Sequence, residues 1–590
     1  MQLHAGPVTA DYADGFLRYI RVGDREIVRM IYFAIRDQNW KTLPFTIKKE
    51  KIHDGTDHFT VKLTSYIDFQ GVKFTWKVQI TGLADGTIHF VIKGEARSQF
   101  LKNRIGLCIL HPTDSLAGRP CSIEHSGGYF SHEFFPEYVS PHQTFLNVSA
   151  MQWLVNGSIT ARLDFEGEVF ETEDQRNWSD ASFKTYCTPL TIPFPVEVVK
   201  GEGFNQSVRL TVSLGGFVYQ SVAKKAVRIS LLGERQNFPA IGLQIPSDFA
   251  IPEPYHTKFL SKTGFSHLRA DLFLSTNNWE EKLDCACIIS SRLKLPLELV
   301  IFVNDELEGK WNLLIDNLKN KTANIQSVAL MEEKRRVTSA ALIEKYLPLL
   351  HCDLPDIRVG VGTDANFAEL NRHAFVFENQ DFVCYSLNPQ VHLPDNLTMV
   401  ENMPAQFDQV RSAQRLTSGK PVHISPITLK PRFNAVATTG CKENNAYDDR
   451  QDTEFAAAWT LGSLKYLSEA GAAAITYFET TGPGGIMKKT TIYPVGILLG
   501  FILKWQPHEV QVTQCDLPLM VSSLMLHKPG ASCLLLANHS VEEQNVILPE
   551  NLVPVQIASI VTSFGDIGKP LDVDQELILT SNQVVAVMYS

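Results

Sequence analysis

Two carboxylic acids stand at the ends of apolar stretches, where a carboxyl group is suited to acid and base chemistry. Glu479 ends the run "AAAITYFE", and Asp364 follows the run "RVGVGT". Apolar surroundings disfavour the charged form of a carboxyl group and raise its pKa toward the range that proton transfer requires. We therefore predict that Glu479 and Asp364 are catalytic. The alternatives are structural, namely a rim salt bridge from Glu479 to Lys430 or Arg432, and a helix N-cap at Asp364.

Other polar side chains occupy similar positions and are predicted to bind substrate oxygens. In "HLRADLFL", Arg269 and Asp271 alternate with apolar residues, so both side chains point to one face of a strand. If that face is an interior, the two charges are costly unless they are paired or used, and a purely structural ion pair is the alternative. The predicted substrate-binding residues are Arg269, Asp271, Asn366, Asn388, Lys430 and Arg432.

These residues are positioned by a segment, 226–508, in which apolar strands alternate with helical stretches. Eight such units in one segment predict an eight-stranded β/α (TIM) barrel, whose chemistry lies at the carboxyl ends of the strands. Strands are predicted near 241–246, 266–274, 297–304, 324–331, 357–363, 381–388, 421–429 and 472–480. Helices are predicted around 279–292, 306–319, 338–351, 366–372, 397–414, 452–470 and 492–504.

The flanking segments have a different pattern, with short alternating strands separated by turn signals. Residues 1–225 contain runs such as 72–80 and no convincing long helix, which predicts an N-terminal β-sandwich domain. Residues 509–590 return to β character in "ASCLLLANHS" and "QVVAVMYS", which predicts a small C-terminal β-sandwich. The predicted fold class is therefore multidomain α/β plus β, with the TIM barrel in the middle.

Composition excludes several classes of protein. The 590 residues are 44% hydrophobic and carry a net charge of −10, with no basic run, so we expect no nucleic-acid partner. No apolar run reaches the roughly 18 residues of a membrane span, and no signal-peptide pattern opens the chain, so a cytoplasmic protein without a membrane partner is expected. Nothing in the sequence specifies an oligomeric state.

Metal or cofactor chemistry has no motif in the sequence. The ten cysteines are scattered, and neither H-E-x-x-H nor another paired ligand spacing is present, so we predict no metal and no cofactor. A G-x-S-x-G nucleophile elbow is also missing, which disfavours a serine hydrolase. Distant strand ends can still assemble a metal site, for example from Asp271, Asp364 and Glu479, and that alternative stays open.

Four long segments resemble a known family. "GFLRYIRVGDREIVRMIYFAIRDQNW", "FETEDQRNWSDASFKTYCTPL", "GTDANFAELNR" and "TYFETTGPGGI" are similar to the D-apionate lactonases, and the resemblance spans essentially the whole chain. Such enzymes are similar to glycoside hydrolases in architecture but open a sugar lactone. The resemblance implies hydrolysis of D-apionolactone to D-apionate in apiose catabolism, with a small sugar lactone as the partner molecule. The site residues above come from barrel position and not from the family.

A glycoside hydrolase acting on a small plant-derived glycoside is the alternative enzyme. Retaining glycosidases on this barrel usually carry Asn–Glu after strand 4 and a nucleophilic Glu after strand 7. Here strand 4 ends in "LMEEKRR", and strand 7 leads to Lys430 and Arg432. This pattern disfavours glycoside cleavage. For the lactone hydrolase that the resemblance implies, we expect Glu479 and Asp364 to divide the roles of general base and general acid. A carbohydrate-binding protein on an inactive barrel is the non-enzymatic alternative.

Overall fold

The computed structural model describes residues 1–215, 226–373, 379–433, 447–550, 552, 554–561 and 576–589. The chain forms two compact units. The first contains Met1–Arg176 and the described part of Ala181–Lys225, and the second contains Asn177–Asp180 and the described residues from Ala226 onward.

The first unit is an antiparallel β structure, as the alternating sequence predicts. Strand Val72–Gly82 is typical, because every second side chain is buried and the others reach solvent. The buried set, which includes Phe74, Trp76 and Phe90, forms one apolar core. The 17 described strands are Gln2–Ala5, Val8–Ala13, Phe16–Val22, Arg25–Asp37, Thr46–Asp54, Phe59–Phe69, Val72–Gly82, Ile88–Ala96, Phe100–Pro112, Pro120–His125, Phe130–Phe134, Phe145–Asn156, Ile159–Glu166, Phe170–Asp174, Ser182–Tyr186, Val196–Val198 and Gly203–Leu214.

The second unit contains a closed barrel of eight parallel strands, which confirms the predicted TIM barrel. All eight predicted strands are present without a slip in numbering. The barrel closes where the first strand pairs with the eighth, Ile241 opposite Ile475. Barrel strands 1 to 8 are Ala240–Gln244, Leu268–Phe273, Leu297–Val303, Ile325–Glu332, Arg358–Thr363, Phe382–Leu387, Val422–Ile427 and Ala474–Glu479.

The helices around the barrel follow the prediction with two differences. Pro254–Thr263 was missed because this short helix buries only His256, Leu260 and Thr263, which is too few positions to give an apolar period. The stretch 397–414 is two helices, because Pro404 has no N–H to continue the first one and instead occupies the second position of the helix that begins at Met403. The helices are Pro254–Thr263, Trp279–Leu293, Leu307–Lys319, Ala340–Asp353, Phe367–Arg372, Asn396–Glu401, Met403–Leu416, Glu454–Glu469 and Pro494–Trp505.

None of the helices within the described ranges is both long enough and apolar enough to cross a membrane.

The C-terminal sheet takes one strand from an unexpected part of the sequence. Val227–Asn237 lies within the segment assigned to the barrel, but it pairs antiparallel with Glu509–Cys515 in the last sheet. The buried Glu469 of helix Glu454–Glu469 accepts hydrogen bonds from the backbone and hydroxyl of Thr513, both at 3.0 Å, which joins barrel and sheet. The eight described strands are Val227–Asn237, Glu509–Cys515, Val521–Lys528, Ala531–Asn538, Gln544–Ile547, Pro554–Val561, Glu576–Leu579 and Val584–Tyr589.

Barrel closure leaves no space at Gly362, which pairs with Cys384 of the next strand. A Cβ atom at Gly362 would lie 1.8 Å from the Cys384 carbonyl oxygen. We expect Gly362→Ala to lower the free energy of unfolding by about 2–4 kcal/mol, because backbone must move. Gly309→Ala is the control, since no atom lies within 4 Å of a Cβ there and the residue is helical. It should leave stability unchanged or raise it by up to about 1 kcal/mol. Urea denaturation measures both, and equal effects would contradict the packing argument.

Candidate active site

The interior of the barrel is polar along strand 2, whereas bulky apolar side chains usually fill such an interior. The alternation in "HLRADLFL" turns His267, Arg269 and Asp271 toward the interior. Arg269 has no solvent exposure and reaches across the barrel. Its Nη2 donates to Asp364 Oδ1 on the opposite side at 2.5 Å, and its Nη1 donates to the Ser425 carbonyl. Strand 2 therefore contributes a buried cation to the centre of the barrel.

Two arginines and two aspartates form one ion-pair network at the carboxyl ends of the strands. Arg269 Nε donates to Asp271 Oδ1 at 2.8 Å, and Arg432 donates to both Asp271 and Asp364. Gln244 Nε2 adds a hydrogen bond to Asp271 Oδ2 at 3.0 Å. Burial by itself would raise the pKa of Asp271, but the charges of Arg269 and Arg432 outweigh it and hold that pKa below its usual value. Burial likewise opposes the charge of Arg432, while Asp364 and Asp271 keep its pKa above the ordinary range.

A chain of hydrogen bonds continues from this network toward the amino end of the barrel. Arg269 Nη1 lies 3.4 Å from Ser425 Oγ, which donates to Thr476 Oγ1 at 2.9 Å. Thr476 Oγ1 lies 2.9 Å from His267 Nε2, and the same nitrogen is 3.5 Å from the buried carboxylate of Glu298. Burial lowers the pKa of His267, which favours its neutral form. These hydrogen bonds hold the Arg269 side chain in position from the side of the barrel's amino end.

An irregularity at the end of strand 8 sets the direction of the Glu479 side chain. Thr476 faces the interior, so strict alternation would turn Glu479 outward. Phe478, however, has a φ of 53°, and the pairing with strand 1 shifts between Gly242 and Gln244. Such a bulge changes the direction of the side chain that follows it. A bulky residue with positive φ is strained, and strained residues of this kind cluster at functional sites.

The carboxylate of Glu479 is partly buried and lacks a hydrogen-bond partner among the described residues. Burial raises its pKa to about 7, against the opposing charge of Arg432 and with support from Asp248 and Asp271. Tyr447 lies against the adjacent loop. A Cβ at Gly484 would be 2.5 Å from the Tyr447 ring and 3.3 Å from Glu479 Oε2, so only glycine allows this approach. Glu479 is thus able to gain and lose a proton near neutral pH.

The remaining predicted residues lie at neighbouring strand ends. Asn366 begins helix Phe367–Arg372, and its backbone N–H donates to Glu369 Oε2 at 2.9 Å. Asn388 Nδ2 donates to Asn366 Oδ1 at 3.4 Å. The side chain of Lys430 has no hydrogen bond or ion pair with a described residue. The structure therefore joins Arg269, Asp271, Asp364 and Arg432, with Glu479 beside them, and sets Asn366 and Asn388 in a separate pair.

Three residues of this region were not predicted. Ser425 follows His423 on alternating positions of strand 7, so the same alternation that found Arg269 would have found it. Gln244 is the last residue of strand 1, a position that also marks a barrel mouth. Arg336 is the third of three consecutive basic residues after strand 4, and composition alone does not separate it from Lys334 and Arg335.

Comparisons with known proteins match the first unit and the barrel of the second unit. Residues 1–214 match the family model described as D-apionate lactonase, N-terminal domain, and residues 241–506 match the model described as D-apionate lactonase, TIM barrel domain. A D-apionate lactonase from Brucella anthropi is 27% identical over 507 residues, which cover 82% of this chain and 83% of that protein.

The solved structures that the comparison matched are more distant in sequence. A GH30 endoxylanase from Clostridium papyrosolvens C71 has a TM-score of 0.43 and 12% identity, and the match covers 62% of this chain and 100% of the other. A family 51 alpha-L-arabinofuranosidase from Bifidobacterium longum has a TM-score of 0.48 and 10% identity, with the same coverage of 62% and 100%.

The raised pKa of Glu479 predicts a pH-dependent stability difference. A carboxyl group whose pKa rises from 4.5 to about 7 on folding favours the folded state less and less as pH increases between those values. We expect Glu479→Gln to have a larger free energy of unfolding than the wild type by on the order of 1–3 kcal/mol at pH 8. The difference should shrink as pH falls toward 4.5. Denaturant titrations across this range test it, with the exposed Glu344→Gln as control. If the difference in the free energy of unfolding between Glu479→Gln and the wild type does not change with pH, the raised pKa is contradicted.

Proposed function

The chain belongs to the D-apionate lactonase family, and on that premise we propose that it hydrolyses D-apionolactone to D-apionate in apiose catabolism. The observation that carries the proposal is Glu479, a carboxyl group with a pKa of about 7 beside the arginine and aspartate network of a barrel mouth. Ring opening of a lactone consumes one water and yields one alcohol, one carboxylate and one proton. The site must therefore activate water, stabilise the carbonyl oxygen and protonate the departing ring oxygen.

Glu479 suits the role of general base. Burial raises the pKa of Glu479 to about 7, and a base of this pKa accepts a proton from an attacking water more readily than an ordinary glutamate does. The water oxygen bonds to the carbonyl carbon, and the proton held by Glu479 then passes to the ring oxygen as the bond from that carbon to the ring oxygen breaks. The carboxylic acid formed in this way loses its remaining proton to solvent and becomes the carboxylate. One carboxyl group thereby acts first as base and then as acid.

Arg432 suits the stabilisation of negative charge on the substrate. Its side chain retains 22% exposure at the mouth, whereas Arg269 is fully buried. Asp271 and Asp364 hold the Arg432 guanidinium in place, so no reorganisation is needed when charge develops on the carbonyl oxygen. Asp364 accepts hydrogen bonds from both arginines at Oδ1, which favours a positioning role for this carboxylate over the role of proton donor.

We also propose that the enzyme acts in the cytoplasm, where a small lactone is available as an intermediate. Every cysteine in the described ranges is a free thiol, which suits a reducing compartment.

Proton release at constant pH from the purified protein given D-apionolactone tests the function. We expect Glu479→Gln to lower kcat/KM by about 10²- to 10⁴-fold, because it removes the general base. In the wild type, kcat/KM should rise with pH and level off above about 7, the pKa of Glu479. Glu344→Gln, an exposed glutamate on helix Ala340–Asp353, should keep wild-type activity.

Three outcomes would contradict parts of this proposal. Near-normal rates in a folded Glu479→Gln variant would remove Glu479 from the mechanism. Cleavage of aryl glycosides without lactone opening would establish the glycosidase alternative. Loss of lactonase activity in EDTA, restored by a divalent cation, would move water activation from the carboxylate to a metal ion.

A further inference from the structure

A third arginine lies at the mouth, in the loop after strand 4. Arg336 is 8% exposed, and its backbone is fixed beside the ion-pair network. Its carbonyl oxygen accepts hydrogen bonds from the Asp364 N–H and from Thr363 Oγ1, both at 2.8 Å. Its own N–H donates to the Glu332 carbonyl at 2.8 Å. The position of Arg336 is therefore set by the same strand end that holds Asp364.

The Arg336 guanidinium rests on aromatic rings. Its central carbon lies 4.4 Å from the ring centre of Phe302, 4.8 Å from that of Phe273 and 5.2 Å from that of Phe433. Phe273 and Phe302 are themselves stacked at 4.6 Å. Contacts of this kind hold a guanidinium in one plane and leave its edge free for hydrogen bonds. Phe273 and Phe433 keep partial exposure, so the rings also face the mouth.

The guanidinium donors of Arg336 are not used by the part of the protein that the structure describes. No described residue accepts a hydrogen bond from its guanidinium, and Nε is buried without a partner. Arg269 and Arg432, by contrast, are held by Asp271 and Asp364. A guanidinium has five N–H donors, and Asp364, Asp271 and Glu333 act on this one only through their charge and accept no hydrogen bond from it. Leaving the donors of a nearly buried cation unsatisfied is costly. The arrangement is that of a site completed by a ligand.

We propose that Arg336 binds the carboxylate that lactone opening creates, with Phe273 and Phe433 as the apolar wall of a subsite for small sugar acids. This inference rests on the proposed function, because the carboxylate is the product of that reaction. A lactone carbonyl is neutral and its hydrolysis product is an anion, so a free guanidinium distinguishes product from substrate. A guanidinium also matches a carboxylate with two parallel hydrogen bonds.

Isothermal titration calorimetry with D-apionate tests the site, with D-erythronate and D-gluconate as other sugar acids. We expect Arg336→Met and Arg336→Gln to weaken D-apionate binding by about 10- to 100-fold, the effect of one charge-assisted interaction. Either variant can be interpreted alone if the other does not fold, as judged by circular dichroism. Arg335→Gln is the matched control. This neighbouring arginine is 57% exposed and contacts His373 and Glu332, and it should bind D-apionate like the wild type.

A neutral sugar alcohol with the carbon skeleton of apionate separates charge from shape. It should bind the wild type and both Arg336 variants with equal, weak affinity. Unchanged D-apionate affinity in a folded Arg336 variant that still opens the lactone would overturn the subsite and leave the lactonase proposal standing. A wild type that binds D-apionate through Arg336 but opens no lactone would overturn the lactonase and retain the subsite. No binding of D-apionate to the wild type at millimolar concentration would also overturn the subsite.

Discussion

The burial of the Arg269 charge is the constraint on which the rest of the barrel interior depends. Removing a guanidinium from water costs several kcal/mol, and only close anions and hydrogen-bond acceptors offset that cost. Asp271 and Asp364 supply the charge, and Ser425 supplies a carbonyl oxygen. These partners come from strands 2, 5 and 7, so one buried cation fixes the relative positions of three strand ends. The polar interior of this barrel is a consequence of that single requirement.

The same network explains why Glu479 keeps a high pKa beside an arginine. A free Arg432 would stabilise the carboxylate anion and lower its pKa, but Arg432 is already held by Asp271 and Asp364. Burial therefore remains the largest influence on Glu479, and the negative charge of Asp271 adds to it. The paired aspartates position the cation and also limit its effect on the neighbouring base. A proton acceptor near neutral pH and an oriented cation coexist for this reason.

The sequence predicted the strands that position the site more completely than the arrangement of side chains within it. All eight barrel strands were predictable, because each is an apolar run that ends in polar residues. The bulge at Phe478 was not, since alternation from Thr476 turns Glu479 outward and only the pairing with strand 1 reveals the extra residue. Arg336 was hidden in a basic run whose members differ only in tertiary contacts. Strand Val227–Asn237 was not predicted, and its partner in the last sheet, Glu509–Cys515, lies far along the chain.

The charges at the mouth also relate catalysis to product release. Three arginines lie near two aspartates at the mouth, and the guanidinium of Arg336 has no hydrogen-bond acceptor among the described residues. In the proposed mechanism, while Glu479 holds the proton taken from water, the oxyanion on the former carbonyl meets no opposing charge from this residue. Once that proton has passed to the ring oxygen and the product acid has lost its own proton to solvent, Glu479 and the product are both anions and would repel each other through a medium of low dielectric constant. On these proposals, the residue that acts as the base would also weaken the binding of the product, and Arg336 would hold the product carboxylate against that repulsion.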